Sequence, residues 1–263
     1  MAGSHEIRNV STKEDLRIHP NNELIFCLSN VILDARKQCQ GGRSMIIEQI
    51  TVGEMEVFCY LIACEETREA AAIDPAGDED DLERIIALVR EKNLHLAYII
   101  NTHGHADHTY GNQLLARRTG AKTVMHELDD DLFTTEEARL WAQSFGLNPA
   151  PPVDIRITDG YRLALGKVNL EFIHTPGHTP GAICLLAENN LFTGDTLFVG
   201  AVGRTDLPGG SMETLLESIE EKLLPLPGDT IIWPGHDYGD QPTSTMAMEK
   251  ETNPYITDFI LDK

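Results

Sequence analysis

The sequence predicts an α/β domain with a functional site along one sheet edge. Three observations carry that expectation. Short β-type runs alternate with amphipathic helical stretches from Met45 onward, through two roughly similar halves. Four of those runs end in polar segments bearing histidine or aspartate: NTHGH, HTPGH, FTGDT and WPGHD. Loops beyond strand ends escape the packing demands of the core, and ligands gather there in layered α/β folds.

Taken in order, residues 1–44 read as an extension dominated by polar residues, with one apolar stretch, ELIFCLSNVIL, at Glu23 to Leu33. Residues 45–263 read as the folded domain. Its first runs, MIIEQITV, VFCYLIAC and EAAAID, are β-type. Asp78 to Asn93 places Leu82, Ile85, Ile86 and Val89 at helical spacing and predicts an amphipathic helix closed by Lys92 and Asn93. Leu96 to Ile100 is an apolar strand running into NTHGHADH; a helix over about His108 to Thr119 and the strand AKTVM follow. Glu127 to Pro152 is acidic and then proline-containing, which predicts a helical excursion over the surface, with Asp129, Asp130 and Asp131 as a solvated face. Residues 161–174 alternate apolar and polar around Leu165-Gly166-Lys167, a hairpin signal. ICLLA and LFTGD are strands joined at Asn189-Asn190; a helix spans about Met212 to Leu224, and TIIWP is the last strand expected.

Composition narrows the function. The chain of 263 residues carries 21 Lys and Arg against 42 Asp and Glu, a formal charge of −21. That total disfavours nucleic-acid partners and anionic membrane surfaces, both of which need a cationic face. With 41% apolar and 24% charged residues the chain is an ordinary globular one. No run approaches the roughly 18 apolar residues of a membrane span. The small polar start (residues 2–5, AGSH, are set aside) lacks the cationic n-region and apolar h-region of a secretory signal, so a cytoplasmic location is expected. Cys27, Cys39, Cys59, Cys64 and Cys184 form no CxxC pair and are read as inert thiols.

The densest chemical signal is Thr102-His103-Gly104-His105-Ala106-Asp107-His108. In an extended segment His103 and His105, two apart, project to one side. Asp107 and His108 then fall at the following helix start, where Asp is a natural N-cap. Imidazole nitrogen and carboxylate oxygen bind borderline-soft cations such as zinc at about 2.0–2.2 Å, which suits a bunched set of this kind. His178 in HTPGHTPG, Asp195 in FTGDTLF and His236 in WPGHDYG complete it. Singly, each is an ordinary loop histidine, turn aspartate or helix cap. Jointly, they suffice for two adjacent metals: His103, His105 and His178 at one, Asp107, His108 and His236 at the other, and Asp195 as a bridge. His174 is a candidate outer partner to a ligand, and His5, His19, His95 and His126 are assigned no role.

The ordered set THGHADH, HTPGHTPG, GDTLF and PGHDYG resembles the metallo-β-lactamase superfamily of hydrolases, from about Met45 onward. The resemblance implies a four-layer αββα sandwich with metals at one edge, and gives the metal roles to His103, His105, Asp107, His108, His178, Asp195 and His236. Antibiotic-hydrolysing members typically carry cysteine or serine where Asp195 stands and lack a histidine ligand at the place of His108, which argues against β-lactamase activity. Nuclease members usually add inserted domains or basic arms, unlike a chain of charge −21.

Within the superfamily, GAVGRTDLPGG at 200–210 followed by a helix and PGHDYG is similar to glyoxalase II (hydroxyacylglutathione hydrolase) and to the persulfide dioxygenases. That likeness places Arg204 near a thiol-substrate site, where it would hold a glutathione carboxylate or else form a surface salt bridge. Only 27 residues follow His236, so the helical glutathione-binding domain of full glyoxalase II is not expected. The thioesterase reading uses two divalent metals (zinc, iron or manganese) to make a hydroxide that attacks a thioester carbonyl, with Asp107 as ligand and catalytic orienting group. The dioxygenase reading uses a single Fe(II) on His103, His178 and Asp195. A non-catalytic metal- or thiol-binding module is a third reading. The complete dinuclear set favours hydrolysis of a small-molecule thioester.

Overall fold

The computed structural model describes residues 45–144 and 153–262. The expected extension 1–44, with its apolar stretch, His5, His19, Cys27 and Cys39, lies outside the described residues, as does the proline-containing end of the acidic segment.

The first half contains β1 (Met45–Val52), β2 (Val57–Cys64), β3 (Glu69–Ile73), α1 (Glu79–Glu91), β4 (His95–Ile100), α2 (Ala106–Thr109), α3 (Asn112–Thr119), β5 (Lys122–His126), α4 (Glu127–Phe133), α5 (Glu136–Ser144) and β6 (Ile155–Ile157). The second contains β7 (Arg162–Leu165), β8 (Val168–His174), β9 (Ile183–Ala187), β10 (Asn190–Gly194), β11 (Leu197–Phe198), β12 (Ala201–Val202), α6 (Met212–Ser218), β13 (Ile231–Pro234), β14 (Ser244–Thr245), α7 (Met246–Thr252) and α8 (Pro254–Ile256). One sheet runs β1-β2-β3-β4-β5-β6 and the other β14-β13-β10-β9-β8-β7.

The two-residue period of a strand explains the layering. β2 is buried along its whole length because alternate residues serve two cores. Phe58, Tyr60 and Ile62 face the second sheet and meet Phe172, Leu185 and Phe192, while Cys59, Leu61 and Ala63 face α1 and α3. In the second sheet Ile183 and Leu185 join the inter-sheet core, and Cys184 turns outward to Leu215 and Ile219 on the helical side. The order is helix, sheet, sheet, helix, the four-layer αββα sandwich expected.

Local chemistry sets the element ends. The Asp78 carboxylate accepts the N–H groups of Asp80 and Asp81 and caps α1, whose Leu82, Ile85, Ile86 and Val89 face the sheet. The helix expected over His108 to Thr119 is two, α2 and α3, divided at Tyr110-Gly111. A side chain at Gly111 would strike the carbonyl oxygen of Pro75. The helix from Met212 continues as a π-helical turn over Ile219–Leu223. TIIWP is not the last strand, since the short β14 pairs with β13.

Among the described cysteines, Cys59, Cys64 and Cys184 are buried free thiols. Burial pushes the pKa of Cys59 and Cys184 up. Cys64 departs from the inert expectation: burial is outweighed by hydrogen bonds from Thr67, Lys167 and Glu66, and its pKa falls to about 7. No helix among the described residues is long and apolar enough to cross a membrane.

The edge that matters is set by strand direction. β3, β4 and β5 are parallel, so their C-terminal ends share one edge. β8 and β10 both run antiparallel to β9, and β13 runs parallel to β10, so these three also end together. Tyr60 Oη donates to Pro234 O at 2.6 Å, and Phe58 N–H donates to Gly235 O at 2.8 Å, tying the sheets together beside that edge. Phe172 is fully buried between the sheets. Phe172→Ala is expected to destabilise the protein by about 3–5 kcal/mol, read from urea unfolding.

Candidate metal centre

The strand ends bring all seven predicted ligand residues together. His103, His105, Asp107 and His108 follow β4, His178 follows β8, Asp195 follows β10 and His236 follows β13. The inward nitrogens crowd one another: His178 Nε2 lies 3.0 Å from His105 Nδ1 and 3.3 Å from His103 Nε2. His108 Nε2 lies 3.1 Å from His236 Nε2. Asp107 Oδ2 is 3.7 Å from both His108 Nε2 and His236 Nε2. Two of the ligand-type groupings are those expected, His103–His105–His178 and Asp107–His108–His236; a third, Asp74–His103–His108, was not foreseen. Asp195 lies between the first two, its Oδ2 3.6 Å from His178 Nε2 and 3.5 Å from His236 Nε2.

Outward partners fix the rings of His178, His236, His108 and His103. His178 Nδ1 donates to Arg204 O at 2.7 Å, and His236 Nδ1 to Met55 O at 3.0 Å. His108 Nδ1 lies 3.0 Å from Asp74 Oδ2, and His103 Nδ1 lies 3.1 Å from Thr102 Oγ1, whose own proton goes to Asp74 Oδ2 at 2.6 Å. With the outward nitrogen carrying the proton given to these acceptors, the inward nitrogen of a neutral ring presents a lone pair. Lone pairs about 3 Å apart repel unless a proton or cation lies between them.

The electrostatics agree. Burial and the neighbouring His108 hold His103 well below the usual imidazole range. Burial and His178 bring His105 down to about 3. Burial opposes charge on His108 too, yet the carboxylates of Asp195, Asp107 and Asp74 outweigh it and raise its pKa to about 10. Burial likewise opposes charge on Asp195, but His108 and His236 hold it well below the carboxylate range. Asp195 Oδ1 is buried and has no hydrogen-bond partner. Five inward nitrogens and two carboxylates, one of them with an orphaned oxygen, therefore fit divalent cations of the nitrogen- and oxygen-binding class.

Two glycines make room. A Cβ at Gly235 would fall on Asp195 Oδ1, and one at Gly203 on the carbonyl oxygen of Asp195.

Several expectations change. Asp107 is not an N-cap: α2 starts at Ala106, the cap position is His105, and Asp107 lies within the first turn. Asp129 and Asp130 are buried, not a solvated face, although Asp131 is exposed. Asp129 accepts Gly104 N–H at 2.8 Å, Thr179 Oγ1–H at 2.7 Å and Gly181 N–H at 2.6 Å, linking the two loops that carry His103, His105 and His178. Arg204 meets Asp206 through Nε at 2.7 Å and Nη2 at 2.8 Å, with 62% of its side chain exposed. Its carbonyl, not its guanidinium, touches the histidine cluster.

Asp74 is the group that sequence reasoning missed. It accepts Thr102 N–H at 2.8 Å as well as the Thr102 hydroxyl and His108. Its signal was available: like the recognised groups, it is a polar residue directly after an apolar strand.

A model of the metallo-β-lactamase superfamily matches residues 52–236. Hydroxyacylglutathione hydrolase GloC of Haemophilus influenzae is 39% identical over 220 residues, 81% of this chain and 98% of that protein. The human mitochondrial persulfide dioxygenase ETHE1 is 34% identical over 234 residues, 86% of this chain and 84% of that one. Among solved structures, the B3 metallo-β-lactamase BLEG-1 superposes with a TM-score of 0.72 at 31% identity, covering 81% of this chain and all of that one.

Asp74→Ala removes three buried hydrogen bonds and leaves Thr102 N–H and His108 Nδ1 without acceptors. It is expected to destabilise the metal-free protein by about 3 kcal/mol or more, measured by urea unfolding in the presence of a chelator.

Proposed function

The chain belongs to the metallo-β-lactamase superfamily of metalloenzymes, and from that premise we propose that it is a thioesterase acting on glutathione-type or related small-molecule thioesters. In this reading residues 45–263 form the catalytic domain and residues 1–44 an extension to it. The observation that carries it is the pair of ligand groupings with Asp195 between them, which is what a dinuclear hydrolase needs.

His103, His105 and His178 would hold one divalent ion, and Asp107, His108 and His236 the other, with Asp195 lying between the two sets. Zinc, iron or manganese bound there supplies Lewis acidity and makes water a nucleophile at neutral pH. The remaining work falls to the chain. The Asp107 side chain, 20% exposed beside wholly buried His108, is the ligand nearest solvent. There its carboxylate accepts a hydrogen bond from the attacking water and sets its approach to the thioester carbonyl. The outward partners Thr102, Asp74, Arg204 O and Met55 O hold His103, His108, His178 and His236 in their tautomers throughout. The departing thiolate needs little protonation, because a thiol is a far better acid than an alcohol.

Arg204 supports a substrate with a carboxylate in its thiol portion. Its bidentate grip on Asp206 is the geometry that such a carboxylate would adopt in exchange. Arg204→Ala is expected to raise KM for S-lactoylglutathione about three- to tenfold with kcat within twofold, measured by steady-state kinetics.

A second reading draws on the likeness to ETHE1 and on one cluster of distances. His103 Nε2, His178 Nε2 and Asp195 Oδ2, linked at 3.3 and 3.6 Å, form a two-histidine, one-carboxylate set suited to a single Fe(II) that oxidises a persulfide. Metal analysis paired with three assays separates the readings. Two metals per chain with hydrolysis of S-lactoylglutathione is the expected result. One iron per chain with oxygen uptake on glutathione persulfide would overturn it in favour of the dioxygenase. Turnover of a β-lactam but not of the thioester would overturn both, and metal without any turnover would leave a binding module.

A further inference from the structure

Two histidines outside the ligand set occupy the ends of strands from different sheets. His126 ends β5 and His174 ends β8, and their rings stack with centroids 4.1 Å apart and planes 10° from parallel. Each ring also holds the element that follows it. His126 Nδ1 accepts Leu128 N–H at 3.3 Å and so caps α4, the helix that carries Asp129. His174 Nε2 donates to Pro180 O at 2.8 Å, within the loop that carries His178. The backbone of His174 is fixed on both sides: its N–H donates to Asp159 at 2.8 Å, and its carbonyl accepts Lys222 Nζ at 2.7 Å.

The consequence lies at Asp129. Its carboxylate takes Gly104 N–H from the loop of the first half, and Thr179 Oγ1–H and Gly181 N–H from the loop of the second. Gly104 sits between His103 and His105, and Thr179 follows His178. The position of Asp129 therefore sets how far the first two histidines stand from the third. The second grouping, Asp107, His108 and His236, takes its side-chain support from Asp74 and Met55 O and not from Asp129.

We propose that His126, His174 and Asp129 form one brace, a set of positioning residues that fixes the spacing of the three-histidine metal position and leaves the other position independent. The inference rests on the metal-centre reading. A stacked pair joins the sheets, the cap aims α4, and the Asp129 carboxylate gathers both loops. Loss of either ring frees the helix or the loop to shift, and a shift of a few tenths of an ångström matters to ligands that must converge on one ion.

The test is stepwise zinc binding to the full chain, with two dissociation constants read by competition against a chromophoric chelator. His126→Ala and His174→Ala are each expected to weaken one constant about tenfold and leave the other within twofold. The double variant is expected to lose little more than either single one, because the two rings act as a unit. His126→Phe, which keeps a stacked ring and guards against a failure to fold, is expected to recover part of the loss. Amide exchange supplies a local readout: Gly104 and Gly181 should exchange at least tenfold faster in the alanine variants, while the Asp74 amide, bonded to Ile100 O, is unchanged. Equal weakening of both constants, or a lower melting temperature with both constants intact, would overturn the brace alone. A parent chain that takes up no zinc would overturn the metal centre and the brace together.

Discussion

The structure depends on a repulsion that only a proton or a cation among the rings relieves. Five imidazole nitrogens and two carboxylates point into one small volume, and the outward nitrogens of His103, His108, His178 and His236 are already held by protein partners. Rotating a ring outward would leave a buried acceptor unpaired, so the inward arrangement stays. Without metal the charge must balance locally, and His108 does this, its pKa raised to about 10 by three carboxylates despite burial. A divalent ion answers the same demand more fully, because it meets several lone pairs at once. An ion bound here would couple binding to stability, since the side chains that would hold it also hold the loops.

That coupling extends to the fold. The two groupings expected from the sequence are each split between the halves of the chain. His103 and His105 from the first half need His178 from the second, and Asp107 and His108 need His236. These two exist only where the two sheets are docked through Phe58, Tyr60, Phe172 and Phe192. The inter-sheet core thus fixes the geometry of these groupings, and the parallel strands within each sheet do the rest by ending on one side. Placing the ligands just past strand ends gives them rigid roots and free tips, a balance that neither a loop centre nor a strand interior provides.

What could be read in the sequence follows from range. The apolar β-type runs and the spacing of Leu82, Ile85, Ile86 and Val89 are local, and they predicted an α/β domain, while the four layers followed from the family resemblance. His103 through His108 are local too, and His178, Asp195 and His236 were legible because each follows an apolar run ending in a tight turn. Asp129 was misread, since its donors at Gly104, Thr179 and Gly181 lie 25, 50 and 52 positions away. In sequence it is one acid among three, and only the burial that separates it from Asp131 shows the difference. The break between α2 and α3 was hidden for the same reason, because the close approach of Pro75 to Gly111 is a tertiary event.

Arg204 shows how such a site can keep its metals while its chemistry diverges. The main chain and the side chain of this residue face opposite tasks: the carbonyl receives His178 Nδ1, while the guanidinium lies in solvent with Asp206. Any residue at this position supplies the carbonyl, so the side chain is free to vary without disturbing the histidine. Met55 behaves alike, giving its carbonyl to His236 while the residue is 56% exposed. The cage is thus held largely by backbone and buried groups, and the rim by exposed side chains. A fold built this way separates the groups that activate from the groups that select. Relatives named for a thioester hydrolase, a persulfide dioxygenase and a β-lactamase can then share one framework.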